Sequence, residues 1–188
     1  MGIGHWNLGF KIIMLEHFTN ALVLDIEDSG ELDKTVYLFT KELGKVKAKA
    51  KSARKITSKL SGHLQPLNFV KVRLVEKNGF QITDALVLDR VKVCETALAV
   101  LEFIKEMTYE LQPDKNLWIL IKKTFQNLKN NKKISYRPLI EALGFAPNFA
   151  LCNVCDSKYV VYFSKTEQVF LCEKCASKVD KNELILME

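Results

Sequence analysis

Four of the five cysteines fall in two pairs whose spacing is typical of a metal site. The pattern is C-x2-C-x16-C-x2-C, formed by Cys152, Cys155, Cys172 and Cys175. Two C-x2-C pairs separated by about 15–20 residues are typical of structural zinc, because each pair supplies one edge of a tetrahedron. Four thiolates close the coordination sphere, so we expect one Zn²⁺ that holds the local fold and does not catalyse. The alternatives are two disulfides, a redox dithiol or an iron–sulfur cluster, but this spacing in a chain without secretory features favours zinc.

The residues between the two cysteine pairs predict a β-hairpin. Tyr159–Phe163 and Val169–Leu171 are apolar and rich in β-formers, and the polar run Lys165–Gln168 separates them. A hairpin would bring the two cysteine pairs face to face. The fifth cysteine, Cys94, lies among apolar residues, and we expect it to be a small buried core residue.

The positive charge is concentrated in two stretches. Residues 41–59 contain eight basic residues and one acid, and residues 121–137 contain six basic residues and no acid. The rest of the chain has 14 basic and 21 acidic residues, although the whole chain carries a net charge of +6. Localised positive charge on an otherwise acidic body is typical of a protein that binds a polyanion.

The first stretch has the alternation of a strand. Lys45, Lys47, Lys49 and Lys51 alternate with Val46, Ala48 and Ala50. A strand would therefore place the four ammonium groups on one face, with alternate residues roughly 6.6–6.8 Å apart, close to the phosphate spacing of an extended nucleic-acid backbone. A solvated strand face kept basic to prevent edge pairing is the alternative. Nucleic-acid binding is favoured because the basic run continues beyond the ladder in Arg54, Lys55 and Lys59.

The second stretch predicts a helix with Asp114 as its N-cap. Its basic residues are Lys122, Lys123, Lys129, Lys132, Lys133 and Arg137, with Phe125 and Tyr136 interleaved. A solvated helix face and a binding surface explain this stretch equally well.

Five short strands are predicted before residue 90. They are Ala21–Ile26, Thr35–Thr40, Lys45–Lys51, Phe69–Val75 and Phe80–Thr83, the last continued by Ala85–Leu88. Five strands in about 70 residues favour a small closed barrel, with the OB-fold as the leading candidate. From Val91 the apolar period becomes helical as far as Leu111, and further helices are predicted at Asp114–Leu128 and Ile134–Leu143.

We therefore predict an α+β chain of several domains. These are an N-terminal extension (1–17), an OB-fold (18–90), a small helical domain (91–148), a zinc-ribbon-like four-cysteine finger (149–178) and a short polar tail (179–188). Phosphate-loop, H-E-x-x-H and G-x-S-x-G motifs are absent from the sequence, so we predict that the chain is not an enzyme.

Three sequence strings, in this order, resemble the bacterial DNA repair and recombination mediator family RecO. They are Tyr37–Val46, then Lys51–Arg54 with Leu64–Pro66, then Leu143–Asn148 leading into Cys152. The resemblance covers about Ala21 to Cys175. Family members continue after the finger into further helix, whereas 13 residues follow Cys175 here, and residues 1–13 precede the usual family start.

The resemblance implies a DNA-binding mediator that anneals complementary strands. It implies ssDNA and dsDNA as ligands, RecR as partner, and help in loading RecA onto DNA coated by the single-stranded-DNA-binding protein SSB. The expected DNA-binding residues are Lys45, Lys47, Lys49, Lys51, Arg54, Lys55 and Lys59. The acidic C-terminal tail of SSB is expected at Lys122, Lys123, Lys132, Lys133 and Arg137.

Two other functions remain open. A barrel with a zinc ribbon also suits an RNA-binding or ribosome-associated protein, because phosphates are common to both nucleic acids. The second alternative is a structural adaptor that binds another protein, in which the basic strand is merely solvated. A run of 18 apolar residues is absent, so we expect a cytoplasmic, nucleoid-associated protein without a membrane partner.

Overall fold

A closed five-stranded β-barrel forms the N-terminal half of the computed structural model, which describes residues 14–187. The strands are β1 (Leu15–Ser29), β2 (Asp33–Thr40), β3 (Gly44–Ala50), β4 (Asn68–Glu76) and β5 (Phe80–Arg90). Their order is β1-β2-β3-β5-β4, with β3 and β5 parallel and the other neighbours antiparallel. The predicted OB-fold is confirmed.

Strand β1 is longer than the predicted Ala21–Ile26 because it serves two neighbours. Its first half, Leu15–Leu22, pairs with β4, and the part from Ala21 onward pairs with β2. The β1–β2 register shifts between Val23 and Asp25, and an irregularity of this kind increases the local twist of a strand. Residues 15–17 thus belong to β1, Met14 directly precedes it, and residues 1–13 of the predicted N-terminal extension lie outside the described residues.

The barrel strands are apolar on both faces along one side of the barrel. Residues of the run Ala21–Leu24 alternate between an interior cluster and a second cluster outside the barrel. In β2, Leu38 belongs to the interior cluster and Phe39 to the outer one. In β4, Val70 is interior and Phe69 is outer. This side of the barrel therefore needs a second layer to cover it.

Three helices supply that layer. They are α1 (Glu95–Met107), α2 (Lys115–Lys129) and α3 (Arg137–Ala142), followed by a 3-10 turn at Pro147–Phe149. The predicted N-cap is confirmed, because Asp114 Oδ1 accepts a hydrogen bond from the backbone N–H of Leu117 at 2.9 Å. Helix α1 ends before the predicted Leu111, which has a positive φ of 56°. Among the described residues, no helix is long and apolar enough to cross a membrane.

Aromatic rings fill the junction between barrel and helices. Trp118 of α2 stacks on Phe39 with ring centroids 6.4 Å apart, and it meets the edge of Phe69 at 6.1 Å. Phe125, two turns further along α2, contacts Phe69 edge-on at 5.7 Å. We call the cluster that contains these rings the junction core. Phe39 is thus fully buried in this core and not in the barrel interior.

The C-terminal part is a three-stranded sheet in the order β7-β6-β8. Strands β6 (Tyr162–Ser164) and β7 (Val169–Leu171) form the predicted hairpin, and α4 (Glu173–Ala176) follows it. Strand β8 (Leu184–Leu186) pairs with β6 in the segment where the sequence predicts a polar tail. The carbonyl of Met187 accepts hydrogen bonds from Ser135 Oγ and the Arg137 backbone N–H, which attach this segment to the helices.

The expectation for Cys94 is wrong. The residue is exposed, because it is the N-cap of α1 and its backbone is extended there. Val93 beside it is also exposed, and the first apolar position of the helix that reaches the junction core is Ala97.

Gly44 makes the close contact between β3 and the linker that joins α1 to α2. Its φ is +73°, and a methyl group there would overlap the carbonyl of Gln112. The linker is held alongside by the Leu111 backbone N–H, which donates to Lys45 O at 2.9 Å.

We expect Gly44→Ala to lower the free energy of unfolding by about 3 kcal/mol, because strain and overlap add. Gly30→Ala is the matched control, since Gly30 has a similar φ of +66° with nothing within 4 Å of the added carbon. The control should cost about 1 kcal/mol. Urea denaturation measures the free energy of unfolding of both variants. Equal losses in Gly44→Ala and Gly30→Ala would show that the contact with Gln112 contributes nothing.

Candidate nucleic-acid interface and metal centre

The four paired cysteines converge at one end of the C-terminal sheet. Their sulfur atoms all lie within 4.8 Å of one another, and the Sγ atoms of Cys155 and Cys172 are 3.6 Å apart. A tetrahedral ion with metal–sulfur bonds of about 2.3 Å separates its thiolates by roughly 3.8 Å, so the spacing fits one ion. All five cysteines of the chain are free thiols. The four residues could therefore hold a single metal ion.

Local backbone hydrogen bonds place the two cysteine pairs. In the first turn, the Cys152 N–H donates to Ser157 O at 2.8 Å, and the Asp156 N–H donates back to Cys152 O at 2.9 Å. The Asn153 N–H donates to Phe170 O at 3.0 Å, which attaches this turn to β7. Cys172 directly follows β7 and caps α4, so the hairpin sets the second pair opposite the first.

The pKa values of the thiols differ widely within the cluster. Burial tends to raise the pKa of Cys152, but backbone N–H groups, first that of Cys172, lower it to about 6. The pKa of Cys175 is raised to about 12, chiefly by the neighbouring Cys155 and Cys172 sulfurs. Four thiolates packed this closely repel one another, and a cation at their centre would remove that repulsion.

The lysine ladder lies on β3 with the predicted alternation. Val46, Ala48 and Ala50 are buried in the barrel interior, and Lys47 and Lys49 are exposed. Strand β3 ends at Ala50, so Lys51 belongs to the following turn rather than to the strand.

Lys45 is placed differently from the rest of the ladder. Its ammonium group donates to the backbone carbonyl of Lys105, near the end of α1, at 2.8 Å. Partial burial lowers its pKa, and the charge of Lys105 adds to this effect, although the charge of Glu110 opposes it. The cation therefore stabilises the carboxyl end of a helix, where positive charge is favourable, and joins the barrel to α1.

Tyr37 stands between cations on the outer face of β2. The Lys47 ammonium lies 5.6 Å from its ring centroid and the Lys105 ammonium 5.4 Å from it. Its hydroxyl donates to Glu27 at 3.1 Å, and it is half-buried outside the barrel. Lys49 is paired with Asp33 at 3.0 Å, and the Ser52 N–H and then Lys49 lower the pKa of that carboxyl.

The basic run continues through the loop between β3 and β4. Lys51, Arg54, Lys55 and Lys59 are all exposed. Arg54 contacts Asp28 and Gly30 O at the β1–β2 turn, at 3.5 and 3.3 Å. Within residues 14–187, the other three cations make no ion pair. The exposed cations of β3 and this loop thus follow one another from the strand face to the loop beside the β1–β2 turn.

The second basic stretch is dispersed rather than gathered on one face. Lys122, Lys123 and Lys129 are exposed on α2, and Lys132 and Lys133 lie in the turn after it. Lys129 pairs with Asp89 of β5 at 2.6 Å and lowers the pKa of that carboxyl. Arg137 is half-buried and donates to Asn148 at 2.8 Å.

The two aromatic residues of this stretch are packed rather than exposed. Phe125 is only 1% exposed and belongs to the junction core. Tyr136 packs edge-on against Phe103 at 5.3 Å, and burial, followed by Glu102, raises its pKa to about 12. Neither ring is therefore exposed beside the cations with which it is interleaved in the sequence.

A groove of about 310 Å³ lies between α2 and the barrel. Its apolar lining includes Phe69, Leu88, Trp118 and Phe125, and its polar lining includes Asn20, Asp89, Lys122, Gln126 and Lys129. The groove was not predictable from local sequence patterns because its two sides are distant in the chain. The spacing of Trp118 and Phe125, seven residues apart on one helix face, was the available signal.

The structure thus defines a class of protein in which an OB-fold barrel is joined through a helical layer to a sheet that carries four cysteines able to hold a metal ion. Residues 14–88 match the family model described as Recombination protein O N terminal, and residues 94–188 match Recombination protein O C terminal. The chain therefore belongs to the RecO family.

Curated relatives agree with this assignment. The chain is 30% identical over 179 residues to a Thermoanaerobacter protein, covering 85% of this chain and 71% of the relative. It is 28% identical over 176 residues to a Dehalococcoides mccartyi protein (84% and 69%), and 26% identical over 151 residues to a Syntrophobacter fumaroxidans protein (73% and 60%). All three are described as DNA repair protein RecO. The chain thus spans 60% to 71% of the length of these relatives.

We expect the purified chain to contain one metal ion and Cys152→Ser to lose it, because three thiolates leave the tetrahedron open. Cys94→Ser is the matched control, since Cys94 is exposed and distant in sequence from the cluster. Elemental analysis after gel filtration measures the metal content. Acid should release the ion, because protons compete for the thiolates. Full metal content in Cys152→Ser would contradict the four-thiolate site.

Proposed function

We propose that this chain binds DNA in repair and acts as a recombination mediator. In this role it binds single- and double-stranded DNA, anneals complementary strands and, with RecR, promotes RecA loading on SSB-coated DNA. The observation that carries the proposal is the row of exposed cations on an OB-fold barrel in a member of the RecO family. The role requires binding and release of strands and no chemical turnover.

The proposed DNA contact is a phosphate track. Its members are Lys47, Lys49, Lys51, Arg54, Lys55 and Lys59. Strands 2 and 3 of OB-folds are a common nucleic-acid face, and β3 carries the first part of this track, Lys47 and Lys49. Lys45 is left out of it, because its ammonium group already binds the Lys105 carbonyl. Ammonium groups bind phosphates without reading bases, so binding should tolerate any sequence.

The same track supports annealing. Two DNA strands repel each other through their phosphates, and cations that neutralise one strand lower the cost of bringing up the second. Tyr37, half-buried between Lys47 and Lys105, offers an aromatic edge beside the track.

We propose that the metal is a single structural Zn²⁺. Four thiolates at tetrahedral spacing suit zinc, and they leave no position for water or substrate. Phe163 and Ile185 of the adjoining sheet belong to the junction core, so a metal that stabilises this sheet also supports the helices.

The acidic tail of SSB is proposed to bind in the groove between α2 and the barrel. Its apolar floor suits a hydrophobic side chain, and Lys122 at its edge suits a carboxylate, whereas Lys129 is already paired with Asp89. Of the residues expected from the sequence, Lys122 lines this groove. Lys123, Lys132, Lys133 and Arg137 do not line it, and they remain an alternative surface for the same tail.

The decisive experiment is annealing of two complementary oligonucleotides coated with SSB, with and without this chain, at two salt concentrations. We expect faster annealing that weakens as salt rises. Absence of acceleration, with binding to naked ssDNA retained, would remove the mediator role. Affinities for ssDNA, dsDNA and RNA measured in the same buffer separate the DNA function from an RNA-binding one.

We expect Lys47→Ala and Lys55→Ala each to reduce the salt slope of ssDNA binding by about 0.7, the contribution of one lost phosphate contact. Fluorescence titrations at four salt concentrations give the slope. Lys178→Ala is the control, because Lys178 is exposed but lies beyond α4. A salt slope that stays unchanged in both variants would show that Lys47 and Lys55 do not contact DNA phosphates.

We expect Lys122→Ala to weaken binding of an SSB tail peptide between about two- and fivefold, the range for one exposed ion pair. Lys123→Ala is the matched control, since the neighbouring Lys123 is exposed but does not line the groove. Isothermal titration measures both. Equal losses in the two variants would point to general charge attraction and not to the groove.

A further inference from the structure

The loop between β3 and β4, residues 51–67, holds one aliphatic side chain wholly in solvent. Ile56 is fully exposed, at 105% of its reference area. The other aliphatic residues of this loop, all of which the structure describes, behave in the opposite way. Ala53, Leu64 and Leu67 are buried, and Leu60 packs against the barrel interior. Packing of the loop therefore uses every aliphatic side chain except Ile56.

Local hydrogen bonds fix the tip that presents Ile56. The Ser58 N–H donates to Lys55 O at 2.8 Å, which closes a turn with Ile56 and Thr57 at its centre. Before the turn, the Arg54 N–H donates to Leu32 O at 3.0 Å. The tip is thus anchored to the β1–β2 turn on one side and to the barrel, through Leu60, on the other. The exposed position of Ile56 follows from this anchoring.

Cations surround this apolar tip. Arg54 and Lys55 precede Ile56 and Lys59 follows it, and all three are exposed. In the part of the chain that the structure describes, Lys55 and Lys59 have no carboxylate partner. A ligand that suits this tip must carry negative charge on its outside and offer apolar faces between the charges. Nucleic acid has this arrangement, because phosphates flank stacked bases.

We propose that Ile56 is a wedge that enters between two neighbouring bases of the bound DNA. The inference rests on the proposed DNA binding by the phosphate track. Aliphatic side chains that insert at a base step partly unstack it. Cations on both sides of the tip hold the phosphates while the side chain separates the bases. An unstacked base is open to pairing with an incoming complementary strand, so the wedge would favour annealing.

The test uses an oligonucleotide that contains 2-aminopurine, whose fluorescence rises when the base unstacks. We expect the wild-type chain to raise this fluorescence at saturation. Ile56→Ser should abolish the rise and weaken affinity about tenfold, because an apolar contact is lost. Its salt slope should stay unchanged. Ile56→Leu, which keeps an aliphatic group of the same size, should restore both signals. The full chain is used throughout, and unfolding midpoints should be unchanged because the side chain is exposed.

Two control variants separate the wedge from the track. Thr57→Ala, at the neighbouring position of the same turn, should behave as the wild type. Lys55→Ala should reduce the salt slope but keep the fluorescence rise at saturation. An undiminished rise in Ile56→Ser would overturn the wedge while leaving DNA binding intact. If the wild-type chain fails to bind the oligonucleotide at low salt, the proposed function fails and the wedge fails with it.

Discussion

The apolar outer face of β1, β2 and β4 is the constraint on which the rest of the structure depends. A barrel of five strands can bury its interior by itself, but Leu22, Phe39 and Phe69 lie outside that interior. They are covered by α1 and α2, whose own apolar faces would otherwise be exposed. The junction core extends further to Phe163 and Ile185 of the C-terminal sheet. One continuous core therefore joins barrel, helices and C-terminal sheet, and large aromatic contacts contribute much of its stability.

This shared core also decides which cations are available to a ligand. Lys45 lies where the barrel meets α1 and binds a helix carbonyl. Lys129 joins α2 to β5 through Asp89, and Lys165 joins the C-terminal sheet to α1 through Glu106 at 3.0 Å. Lysines that look equivalent in the sequence thus divide into those that connect parts of the fold and those that face solvent. In the first basic stretch, the solvent-facing group lies mainly along β3 and the loop after it.

Much of the fold was predictable because local patterns determine it. Period-two alternation identified the lysine strand, and cysteine spacing identified the four-cysteine cluster and its hairpin. The two wrong expectations, a polar tail where β8 lies and a buried Cys94, share one physical cause. Each depends on which distant segment packs against these residues, and hydrophobic periodicity does not identify that partner.

The sequence by itself determined the four thiolates, the five strands, the N-cap of α2 and the two basic stretches, because each depends on residues close in the chain. Only the tertiary structure decided that Lys45 is a connecting residue, that a groove opens beside Trp118, and that Ile56 stands alone in solvent. These features arise where segments far apart in sequence meet or fail to meet. Burial and exposure are properties of that packing, and the sequence of any single element does not contain them.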